Sequence, residues 1–186
     1  MLEFGHEFEK GLHYDDFLDR YATSEQRSRW DAAYERIALT VPQKSLLQSF
    51  TRDMKVVVLA GAWCGDCVEQ CPIFARIAEE TDKVVLRFFD RDDQPVLAKA
   101  LQICGAARVP AVMFLSEDDF PCGRYGDRTL SKYRKMASEL TGAACPTGLG
   151  RDDDLTAAVV QDWIDEFERI QLMLRTSGRL RQKHGD

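Results

Sequence analysis

Val56-Val57-Val58-Leu59-Ala60-Gly61-Ala62-Trp63-Cys64-Gly65-Asp66-Cys67 is the stretch on which the rest of the chain turns. Its first five residues form a continuous, mostly β-branched apolar run, the pattern of a central strand covered on both faces. At Cys64 the pattern becomes helical and stays so to about Glu80. Two cysteines separated by two residues at a helix start can be bridged without moving the backbone. The helix N-terminus, with its partial positive charge and free N–H groups, favours a thiolate on the first of them. The stretch therefore predicts a reversible two-electron thiol/disulfide switch on Cys64 and Cys67.

Length and charge narrow the classes. A chain of 186 residues suits one domain with a full core and some decoration. The net charge is −6 with no dense basic stripe, so nucleic acid is not an expected partner. The segment Met1 to Glu7 is acidic and lacks the basic and apolar regions of a signal peptide. The strongly apolar run Val56 to Trp63 is far too short to span a bilayer. The expectation is a cytoplasmic protein with no membrane partner. Six cysteines (64, 67, 71, 104, 122 and 145) are many for a reducing compartment, yet without a signal segment a structural disulfide framework is the lesser reading.

Residues 1–52 read as a helical extension packed on the core. Phe17 and Tyr21 share a face, and Thr23 with Gln26 fits a capping box opening a helix that carries Trp30, Tyr34 and Ile37. Pro42 suits the first turn of a short helix bearing Leu46, Leu47 and Phe50. Residues 53–140 read as strand, helix, strand, helix, strand, strand, helix. The second strand is Val84 to Phe89, and Gly105 fits a helix C-cap after Leu101, with Cys104 ending that helix. Pro110 to Leu115 and Phe120 to Tyr125 form an antiparallel pair ending at Gly126, and Thr129 to Leu140 is helical. Residues 141–186 are a loop with Cys145-Pro146 and a last helix preceded by the acids Asp152 to Asp154. Its stripe is Leu155, Val159, Trp163, Phe167, Ile170 and Leu174, and the basic tail past Ser177 is expected to fray.

This order, carrying Trp-Cys-x-x-Cys, resembles the thioredoxin family. Pro72 follows Cys67 by five residues, where that family kinks its helix. Val109-Pro110 stands where the family has a cis-proline, and Gly126 matches a glycine ending its last strand. The resemblance implies an α/β fold of three layers, α/β/α, with a mixed central sheet and added helices at both ends. It covers about half the chain and explains neither helical flank.

The resemblance also implies roles. Cys64 attacks as the thiolate and Cys67 resolves the mixed disulfide. Trp63 shields the site, while Val109 beside a cis Pro110 offers backbone to a substrate segment pairing as an added strand. Arg108, two residues before Pro110, is expected by its position on the loop facing Cys64, as a partner for the thiolate or for an acidic substrate, or else as a solvated loop arginine. Two departures stand out. Asp66 occupies the place where thioredoxins usually have proline, and a carboxylate there makes Cys64 less acidic and the couple more reducing. Val58 occupies the place of a buried acid that helps deprotonate the resolving thiol, so either Asp66 or Glu69 acts through water in its stead or resolution is slow. Cys71, one turn after Cys67, reads as a small buried hydrophobe.

The expected function is thiol-disulfide oxidoreduction, reducing protein or low-molecular-weight disulfides without a bound cofactor, with electrons from a reductase or a small thiol. One alternative is a binding or adaptor module of the same fold with little turnover. The other is a metal or iron–sulfur site on Cys64, Cys67 and a further thiol, although His6, His13 and His184 near the termini suggest no cysteine–histidine cluster.

Overall fold

The computed structural model describes residues 3–141 and 155–186; Cys145, Pro146 and Asp152 to Asp154 lie outside them. Helices α1 (Phe4–Phe8) and α2 (Tyr14–Tyr21) come first, then α3 (Ser24–Arg36) on the predicted capping box. Thr23 Oγ1 accepts from the Gln26 N–H at 3.2 Å, and the Gln26 side chain accepts from the Thr23 N–H at 2.9 Å. Helix α4 (Val41–Gln48) repeats the device with Thr40 and Gln43, a second box that the sequence reading missed.

Strand β1 (Met54–Ala60), α5 (Gly65–Glu79), β2 (Val84–Asp90), α6 (Pro95–Ala100), β3 (Ala111–Ser116), β4 (Pro121–Gly126) and α7 (Leu130–Thr141) follow in the predicted order. Helices α8 (Leu155–Thr176) and α9 (Gly178–His184) come after them. The sheet order is β2-β1-β3-β4. β1 runs parallel to β2 and antiparallel to β3, with Val58 between Phe88 and Val112, and β4 is antiparallel to β3. The sheet is mixed, and Val56 to Ala60 on its inner strand are wholly buried, as a continuous apolar run requires. The fold is α/β and thioredoxin-like.

Both flanks bury aromatic rings on this frame. Tyr14 and Phe17 lie 5.5 and 5.7 Å from Phe88 of β2, and Trp30 lies 6.0 Å from Phe17. On the other flank Trp163 meets Phe74 of α5 edge-on at 4.4 Å, and Phe167 meets Phe114 of β3 at 5.1 Å. Leu12 exchanges two backbone hydrogen bonds with Phe88, at 2.8 and 2.9 Å, and so covers part of the outer edge of β2. No helix among the described residues is long and apolar enough to cross a membrane.

Two expectations fail. Gly105 does have positive φ, +75°, but α6 has already ended at Ala100. Cys104, at φ +51°, and Gly105 form a tight turn whose ends, Ile103 and Ala106, bond to each other at 2.9 and 3.2 Å. Paired left-handed residues are what a two-residue reverse turn needs, so Cys104 stands exposed on a turn and does not end a helix. The tail past Ser177 is not frayed either. It forms α9, whose Leu180 is fully buried and whose Lys183 pairs with Glu117 at 2.5 Å. One apolar residue and a remote acid hold it, and its polar, basic composition hides both.

Candidate functional site

The site forms where β1 gives way to α5. Cys64 is the N-cap of α5, with extended backbone and its carbonyl accepting from the Val68 N–H at 3.0 Å. The loop before it is held from outside the sheet: buried Trp30 donates its indole N–H to the Ala62 carbonyl at 2.9 Å. Trp63 stays 45% exposed, its ring folded over Gly61, where a Cβ would lie 2.7 Å from the ring. The Arg91 guanidinium covers that ring at 4.4 Å, an electrostatically favourable stack.

Cys64 is half-buried and Cys67, one turn further, fully buried; both are free thiols. Cys64 Sγ lies 3.6 Å from the Val109 carbonyl oxygen, and the Val109–Pro110 peptide is cis. The structure thus gathers Trp63, Cys64, Cys67, Val109 and Pro110 into one neighbourhood. Cys71, fully buried, lies one turn beyond Cys67, and wholly buried Val58 supplies no acid from β1.

Both thiols are held toward the protonated form. The Cys64 thiol is pushed up by its hydrogen bond with Cys67 and by burial, against the backbone N–H groups of Cys67 and Asp66. Burial pushes Cys67 up, Cys71 adds to it, and the bond with Cys64 and the Gly61 backbone oppose. At Cys64 the hydrogen bond with Cys67, together with burial, outweighs the helix N-terminus that the sequence reading emphasised.

The charged residues group differently from the sequence expectation. Arg108 donates to Asp127 at 3.2 Å. Asp127, nearly buried, also takes hydrogen bonds from Arg128 Nη1 at 3.2 Å and from the Tyr133 hydroxyl. Burial would raise its carboxyl, but the Tyr133 hydroxyl, its own backbone N–H and Arg108 outweigh that and hold it below the usual carboxylate range. Its backbone carbonyl accepts from Gln70 Nε2 at 2.9 Å, while Gln70 Oε1 accepts from the Trp163 indole at 3.0 Å. Asp66 is gripped from α7's side: Arg128 Nη2 reaches it at 2.6 Å and Lys132 Nζ at 2.5 Å, and Lys132 also pairs with Glu69.

Asp127, Arg128, Lys132 and Gln70 went unnoticed in the sequence, and Trp30 and Trp163 were read there only as apolar faces, not as hydrogen-bond donors. One signal was available: Gln70 is a polar residue on the buried face of α5, and a buried amide needs partners. Among the described residues no group of three or more His, Cys, Asp or Glu side chains is arranged to hold a metal ion.

A family model described as "Thioredoxin" matches residues 11–141. The chain belongs to the thioredoxin family. The match takes in α2 to α4, so much of the N-terminal flank that the motif resemblance left unexplained lies within the family pattern. No functionally curated protein matches the chain. Among solved structures, a protein of unknown function from Pseudomonas aeruginosa aligns with TM-score 0.73 and 15% identity, over 91% of this chain and 97% of that one. An HIV epitope scaffold aligns with TM-score 0.65 and 17% identity, over 89% and 99%. At such identities these likenesses speak to the fold alone, but their coverage means that the helical flanks recur with this thioredoxin-like core.

Proposed function

We propose that the protein is a thiol-disulfide oxidoreductase working through Cys64 and Cys67. Membership of the thioredoxin family supports redox chemistry in general; the observation that favours this particular reading is the pairing of a half-exposed Cys64 with a fully buried Cys67 one turn behind it, beside the Val109 carbonyl. Cys64 attacks a substrate disulfide as its thiolate, giving a mixed disulfide and releasing one substrate thiol. Cys67 then attacks Cys64 Sγ, releasing the second thiol and leaving the Cys64–Cys67 disulfide. A small thiol or a reductase returns two electrons. Val109 lines the path of the incoming segment, Trp63 gives it an apolar wall, and no cofactor takes part.

The absence of an acid at Val58 favours, as a second reading, a binding module with slow turnover, since nothing in β1 takes the proton from Cys67. Insulin reduction with dithiothreitol as donor separates the two. Turnover well above background that disappears in Cys64→Ser supports the enzyme; equal rates in the two proteins would leave only the binding reading.

A further inference from the structure

Asp66 stands between the two cysteines, and two cations from beyond β4 converge on it. Arg128 reaches both of its carboxylate oxygens, Nε to Oδ1 at 3.3 Å and Nη2 to Oδ2 at 2.6 Å, and Lys132 Nζ lies 2.5 Å from Oδ1. The side chains of Asp66 and Lys132 are only 16% and 13% exposed, so water screens these charges weakly. Asp66 lies in the first turn of α5, two residues after the N-cap Cys64, so its carboxylate is close to that sulfur along the chain, and its backbone N–H favours the Cys64 thiolate. An unpaired acid so close opposes a second negative charge on the sulfur; a paired one does so much less.

We propose that Arg128 and Lys132 govern how readily Cys64 reacts, by neutralising the Asp66 carboxylate. The inference rests on the thiol-disulfide reading and extends it to two positioning residues outside the Trp-Cys-x-x-Cys motif. A plain tether between α5 and α7 would need a single pair. Here each cation also holds another acid, Arg128 with Asp127 and Lys132 with Glu69, so three negative charges near the first turn of α5 are matched in place. Among the described residues, the other charged and titratable groups facing this part of the fold include Cys71 on α5, Tyr14 of α2 toward Cys71, Arg91 over Trp63, Arg108 paired with Asp127, and Tyr133 on α7.

The test is the rate at which neutral iodoacetamide alkylates Cys64, followed by mass at that residue across pH. The thiolate displaces iodide and forms the thioether, so the rate follows the thiolate fraction. A tenfold change in that fraction becomes about threefold in rate, because a more acidic thiol is a weaker nucleophile. Arg128→Gln and Lys132→Met are each expected to slow alkylation at pH 7 about threefold and move the profile to higher pH. Asp66→Asn is expected to do the reverse, and the triple variant to return close to the wild type. Should Arg128→Gln fail to fold for want of its Asp127 contact, Lys132→Met and Asp66→Asn carry the test, since neither side chain touches Asp127. Shifts of one sign in all variants, or none, overturn the proposal. Alkylation needs no disulfide, so a failure of Cys64 and Cys67 to link under diamide would instead remove the functional reading beneath it.

Discussion

Asp127 ties together residues that the chain keeps far apart. Its carboxylate holds Arg108 of the loop that carries Val109, and its carbonyl holds Gln70 of α5. Gly126 makes this approach possible: a Cβ there would sit 2.3 Å from the Pro110 carbonyl oxygen, and its φ of +116° suits glycine alone. Because the folded carboxyl ionises more easily than an unfolded one, its contribution is present above the unfolded value, about pH 4, and is lost as pH falls through the lower folded value. Asp127→Asn is therefore expected to cost about 2 kcal/mol at pH 7, with the gap to wild type narrowing below about pH 4. Urea midpoints at pH 7 and pH 3 check this; a gap of equal size at both would mean that the carboxylate charge contributes nothing.

At the scale of elements, each flank reaches the site through one indole. Trp30 of α3 holds the Ala62 carbonyl of the loop before Cys64, and Trp163 of α8 holds the Gln70 side chain. Trp30→Phe keeps a ring in the core but leaves that carbonyl buried and unpaired. The expected loss is about 2 kcal/mol in urea unfolding, together with slower insulin reduction as the loop carrying Cys64 loosens. A wild-type midpoint and rate would show that the bond matters to neither. The elements themselves were legible in the sequence because periodicity and punctuation are local: the run at Val56, the capping box at Thr23, and Pro72 within α5 each announce themselves within a few residues. The polar network was not. It is assembled from residues 66, 70, 108, 127, 128, 132, 133 and 163, and sequence separation says nothing of which of these meet. The turn at Cys104 was misread for a related reason, since a glycine marks positive φ without saying which kind of turn uses it.

The cysteine pair and the α9 clasp occupy opposite ends of the sheet. Ala60 and Gly126 end β1 and β4 and Ala111 begins β3 at the end where Cys64 meets Val109, while Met54 pairs with Ser116 at the far end. There α9 closes over the β3–β4 turn: Lys183 and His184 on Glu117, Arg179 on Asp118, and Asp186 on the nearly buried Arg52. Leu180 is the one fully buried residue of α9, so it carries most of the apolar burial there. Leu180→Ala is expected to cost about 3 kcal/mol and to lower Tm by about 6–12 °C. The equilibrium of the Cys64/Cys67 pair with glutathione should not move, because the ion pairs of α9 among the described residues lie on the β3–β4 turn, at the far end of the sheet. Thermal unfolding and glutathione titration of the same sample measure both quantities. A fall in Tm with the equilibrium unchanged means that the far end of the sheet acts only as a clasp; a shifted equilibrium would mean that the two ends are coupled through β1, whose wholly buried side chains from Val56 to Ala60 are the most direct route between them.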